Sequence, residues 1–150
     1  MLKVGAKAPL FELSDQHGEV VRLVDLVSKG PLVLYFYPAD FTPGWTKQAC
    51  RIRDMRDDLS SQGLSVVGVS PQGIESHQRF SAQYNLGFPL LVDADKQVIK
   101  AYGVNGPFGI GVRRASFLID QEQKIAACIR ADFRINHHIE WLKLVSDRSV

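Results

Sequence analysis

The two cysteines, Cys50 and Cys128, are the strongest nucleophiles in this 150-residue sequence, and Cys50 ends a segment suited to thiol chemistry. Residues 35–50 read Tyr-Phe-Tyr-Pro-Ala-Asp-Phe-Thr-Pro-Gly-Trp-Thr-Lys-Gln-Ala-Cys and run off a buried strand, through a turn and into a helix. Thr42 is a good N-cap, and Pro43 suits the first helical position. A thiolate in the turn that follows would be stabilised by free backbone N–H groups and the helix dipole. The residue in that turn is Trp45, whose indole has no ionisable sulfur. Cys50 lies off the helix N-terminus, because five helical residues rotate the chain by about 140° and raise it about 7.5 Å. Nothing at that position activates it as a nucleophile. Cys128, in an alternating strand, reads as a small core residue.

Trp45 falls in phase with Ala49 and Ile52, so its indole should point inward against a sheet. Phe41, one turn upstream, is placed to pack on it, and two aromatics there would fill a small pocket. The histidines carry no comparable signal. His137 and His138 read as surface residues at a helix start, with no second His or Cys at ligand spacing. His17 and His77 are equally uninformative. No cofactor or metal is expected.

The elements that must position these residues follow from periodicity. Residues 31–37 and 64–70 are apolar, β-branched or aromatic runs bounded by Gly and Pro, the pattern of strands buried on both faces. Residues 88–93 and 115–120 read as two more strands. The second pairs with residues 125–130 across a short turn, and residues 10–13 and 19–23 suggest another hairpin. A helix from Thr42 ends at Gly63, with Trp45, Ala49, Ile52, Met55 or Arg56, and Leu59 on one apolar stripe. Further helices are expected over residues 74–84 and 94–102. Asn136 caps a last one carrying Ile139, Trp141, Leu142 and Val145. Strands alternating with helices and closing in an antiparallel hairpin define a mixed α/β sheet.

Length and composition fit one soluble domain over residues 1–150. A net charge of +2 without a basic cluster argues against nucleic acid or an acidic membrane surface. Residues 1–9 lack the apolar stretch of a signal peptide, and no window reaches the length of a membrane span. Two cysteines suit a reducing, cytoplasmic compartment.

The spacing of Pro38, Thr42, Trp45 and Cys50 resembles the active-site segment of the peroxiredoxins, Pro-x-x-x-Thr-x-x-Cys. It is most similar to the peroxiredoxin Q group, also called bacterioferritin comigratory proteins, in which a second cysteine follows five residues after the first. Pro38, Thr42 and the second cysteine, Cys50, match; Trp45 stands where the peroxidatic cysteine is expected. The resemblance covers nearly the whole chain and implies a thioredoxin-like fold of the peroxiredoxin type, a mixed central sheet flanked by helices. It implies that Pro38 stiffens the turn shielding the site and that Thr42 can donate to a peroxide oxygen. Arg114, in Arg114-Ala115-Ser116-Phe117, takes the role of the arginine that favours the thiolate and polarises the peroxide. Gln48 falls where a side chain orients that arginine, and Cys50 takes the place of the resolving thiol. The implied partners are a hydroperoxide and thioredoxin or a similar thiol reductant, and the implied state is a monomer.

Three functional readings follow. The chain is a peroxiredoxin-fold protein without peroxidase chemistry, a pseudoenzyme or binding module. It is a substituted form of an otherwise active thioredoxin-dependent peroxidase, which the intact surroundings of position 45 favour. Or it is a weak thiol reductant acting through Cys50.

Overall fold

The computed structural model describes residues 1–130 and 140–143. Strands β1 (Glu12–Ser14) and β2 (Val20–Arg22) form the expected N-terminal hairpin, with Leu13 opposite Val21. Asp15 closes its turn by accepting from the backbone N–H groups of His17 and Glu19. Residue 23, read from the sequence as the end of a strand, instead opens helix α1 (Leu23–Ser28), which buries Leu23 and Val27 one turn apart. Six residues are too few to print a helical period on the sequence.

The main sheet has five strands: β3 (Leu32–Phe36), β4 (Ser65–Ser70), β5 (Leu90–Val92), β6 (Ala115–Ile119) and β7 (Ile125–Arg130). Their order is β5-β4-β3-β6-β7. The pairs β3–β4 and β4–β5 are parallel, whereas β3–β6 and β6–β7 are antiparallel, so the sheet is mixed as expected. The alternation of β3 assigns its two faces. Leu32, Leu34 and Phe36 join one core cluster with α1 residues, Val67, Val69 and Phe117. Val33 and Tyr35, with Tyr37 just beyond the strand, join a second cluster containing Trp45, Ala49, Ile52, Phe80 and Leu86.

Between β3 and β4 the single expected helix is divided. Helix α2 (Pro43–Asp54) and helix α3 (Arg56–Ser61) meet at Met55, whose φ of −90° and ψ of −1° tighten the turn. Met55 N donates to both Arg51 O and Ile52 O at 3.1 Å, and Leu59 N donates to Met55 O at 2.9 Å on the far side of the bend. Gly63 takes the left-handed φ of +76° that the helix stop requires. Helix α4 (Ile74–Tyr84) has the expected bounds. Helix α5 (Gln97–Ala101) starts later than expected because Lys96 is left-handed, at φ +60°. The buried Asp93 carboxylate caps it, accepting from Val98 N at 3.3 Å and Ile99 N at 2.8 Å. The expected C-terminal helix falls largely outside the described residues, as do His137 and His138. Residues 140–143 are helical, and Leu142 is buried in the second cluster. Among the described residues no helix is long and apolar enough to cross a membrane.

Candidate functional site

The site forms where β3 runs out. Tyr37 continues the strand's pairing by donating its N–H to Val69 O at 3.1 Å, and the chain then turns through residues 38–42 into α2. Pro38, half-buried, opens this turn and contributes no backbone donor. Phe41 is left-handed at φ +63°, a conformation costing a non-glycine residue about 1–2 kcal/mol. It swings the following backbone so that Thr42 takes the extended geometry of the N-cap.

Thr42 occupies the N-cap position, but its side chain does not cap the helix. Its hydroxyl donates to Ala39 O at 3.0 Å and accepts from Arg114 Nη2 at 3.3 Å. The sheet register explains the second contact. Ala115 pairs with Phe36, so Arg114 immediately before it stands beside the loop leaving β3. Arg113 instead joins its backbone N–H to Val104 O at 2.8 Å. Thr42 and Arg114, 72 residues apart, are therefore brought together at the head of α2.

Trp45 lies in the first turn of α2 and is 0% exposed. Its ring stacks on Tyr37 with centroids 4.0 Å apart and planes 12° apart, and it faces Phe80 and Tyr35 at 6.5 and 6.2 Å. Gly68 on β4 makes room for this stack. A Cβ there would lie 3.2 Å from Tyr37 Cε1, 3.4 Å from Trp45 Cζ2 and 3.0 Å from Leu90 Cδ2. The inward orientation read from helical phase holds. The packing expected for Phe41 does not: it is 41% exposed and sets its edge on Phe80 at 5.1 Å. Its left-handed backbone carries the ring to the outside of the cluster.

Gln48 is buried one turn beyond Trp45. Its amide nitrogen faces the Tyr35 hydroxyl without completing a hydrogen bond of good geometry, and the described hydrogen bonds include none from Gln48 to Arg114. Burial pushes the Tyr35 hydroxyl far above its ordinary range, an effect that the Gln48 amide opposes. Cys50 is a half-buried free thiol inside α2. Cys128, also free, packs against the first core cluster, where burial pushes its thiol up.

The sequence reading missed a buried polar network below the loop. Asp40 and His77 have fully buried side chains, and His77 Nδ1 lies 2.6 Å from Asp40 Oδ2. Tyr37 donates its hydroxyl to Asp40 Oδ1 at 2.7 Å, and the Ser76 hydroxyl lies 2.8 Å from Asp40 Oδ2. His77 Nε2 donates to Leu91 O at 3.0 Å. These bonds tie the loop carrying Pro38 and Thr42 to α4 and β5. A buried charge held this way is costly to strand, so the network fixes one loop conformation. The available signal was weak: His77 precedes the core residue Phe80 by three positions on α4. Its partner lies 37 residues earlier.

The chain belongs to the AhpC/TSA family, whose model matches residues 4–128. Within it the chain is similar to proteins named for the Bcp and peroxiredoxin Q group. It is 46% identical over 132 residues to a putative peroxiredoxin bcp of Coxiella burnetii, covering 84% of this chain and 87% of that one. It is 43% identical over 152 residues to peroxiredoxin Bcp of Escherichia coli, covering 95% and 96%. Among solved structures it is similar to peroxidoxin BcpB from Mycobacterium tuberculosis. The TM-score is 0.91 at 36% identity, covering 100% of this chain and 99% of that one. The fold is thioredoxin-like, as expected.

Proposed function

We propose that this chain is a peroxiredoxin Q-like protein without peroxidase chemistry, in which Trp45 takes the position of the reacting cysteine. One observation carries the reading: the first turn of α2, where the fold would hold a thiolate, presents a fully buried indole. Reduction of a hydroperoxide begins with a thiolate displacing one peroxide oxygen. The indole offers no such nucleophile, and its ring is committed to Tyr37 and Phe80. The groups that would assist, Thr42 and Arg114, remain in contact. Thioredoxin, the reductant that the family resemblance implies, then has no intermediate to reduce.

Cys50 is the one thiol near the site, and it offers the sharpest test. It lies inside α2, beyond the turn whose N–H groups are free to stabilise a thiolate. Low hydrogen peroxide should leave it a free thiol, with no adduct seen by mass spectrometry in the presence of a sulfenic-acid trap. Stoichiometric trapping on Cys50 would instead make the chain a one-thiol reductant.

A further inference from the structure

The stacked aromatic pair and the buried polar network share one residue, Tyr37. On one side its ring lies against Trp45 at 4.0 Å. The indole Nε1 is buried and completes no hydrogen bond of good geometry among the described residues; it approaches only the Tyr37 hydroxyl, a far weaker base than a carboxylate. On the other side the Tyr37 hydroxyl donates to Asp40 Oδ1 at 2.7 Å. Asp40 is held in turn by Ser76 and His77, and His77 is held by Leu91 O. Burial first, then the Asp40 charge, push the Tyr37 hydroxyl well above its ordinary value, so the resting side chain is a neutral phenol.

We propose that Trp45 and Tyr37 form a one-electron relay with Asp40 as its proton acceptor. A one-electron oxidant, such as a peroxide-derived radical, takes an electron from the indole and is itself reduced. Tyr37 refills the indole across the stack as its O–H bond breaks and the proton passes to Asp40 Oδ1. Indole radical cation, phenol and carboxylate thus become indole, neutral phenoxyl radical and carboxylic acid. Charge and electrons balance in this step. The direction follows because the phenol hands its proton to a hydrogen-bonded carboxylate as it is oxidised, whereas the indole N–H has no carboxylate to receive its own. His77 and Ser76 keep the carboxylate on the hydroxyl. The relay uses no thiol, so it stands or falls independently of the proposed loss of peroxidase chemistry.

The test is laser-flash photoionisation followed by transient absorption in a Trp141→Phe background, where Trp45 is the remaining indole. The indole-radical band should decay as a phenoxyl band rises, and the rise should slow in heavy water because a proton moves with the electron. Tyr37→Phe and Asp40→Asn should each abolish the phenoxyl band and leave the indole radical long-lived. Three results would overturn the proposal: no phenoxyl band in the background protein, an undiminished band in Tyr37→Phe with Tyr35 as donor from 6.2 Å, or an undiminished band in Asp40→Asn. If either variant does not fold, the isotope measurement on the background protein decides, and a rise equally fast in heavy water overturns the relay.

Discussion

Trp45→Ala should destabilise the protein by about 3–5 kcal/mol, the range for emptying a fully buried aromatic site. The indole is among the largest fully buried side chains and touches β3, β4 and α4 through Tyr35, Gly68 and Phe80. One term works against the loss. Among the described residues the buried indole N–H completes no hydrogen bond of good geometry, and removing it relieves a desolvation cost of up to about 1–3 kcal/mol. The net effect therefore belongs near the lower end. At about 3 kcal/mol the thermal midpoint of a chain of this length falls by roughly 6–12 °C. Trp45→Phe keeps a ring over Tyr37 and removes the unsatisfied N–H, so it should cost much less than the alanine variant. Thermal unfolding of the three proteins checks this. An alanine variant melting within about 2 °C of the native chain would show that the indole contributes no core packing.

Trp45→Cys should convert the site into a reactive thiol. The new side chain would sit in the first turn of α2, where backbone N–H groups are free, and the Arg114 guanidinium is already anchored to Thr42 at 3.3 Å. Its pKa should fall below the ordinary value of about 8.5, so the alkylation rate should saturate at a lower pH than for an exposed cysteine. Phe41 needs no change in this variant, because its ring lies on Phe80 rather than over Trp45. After peroxide the new thiol should link to Cys50. An intact helix separates the two positions by about 7.5 Å of rise, beyond the reach of a disulfide, whose Cα atoms lie within about 7 Å. The first turns of α2 must therefore unwind. Losing the Trp45 anchor makes that unwinding easier, so gain of chemistry should accompany loss of stability. A variant thiol that titrates normally and never links to Cys50 would show that the scaffold has lost more than its nucleophile.

What was legible in the sequence depended on whether the signal was local. Strands β3 and β4 stood out because both faces are covered, which makes the runs apolar throughout. The inward side of Trp45 followed from its phase with Ala49 and Ile52 on one helix. Thr42 and Arg114 could be paired only through the resemblance to a known family, since nothing within either segment points to the other; the sheet register brings them together. His77 was passed over because a lone histidine on a helix shows nothing of a carboxylate arriving from a distant loop. Phe41 was misjudged because phase along a helix does not describe a residue just before it, where a left-handed φ reverses the side chain's direction. The bend at Met55 keeps Ile52, Met55 and Leu59 on one apolar stripe, so it leaves no mark on the pattern.

The most direct measurement is peroxide consumption by the native chain with thioredoxin, thioredoxin reductase and NADPH, alongside Trp45→Cys. The native chain is expected to consume hydrogen peroxide no faster than the same concentration of a free thiol, while the cysteine variant turns over. Saturable, thioredoxin-dependent turnover by the native chain, lost on Cys50→Ser, would contradict the account and place the nucleophile at Cys50.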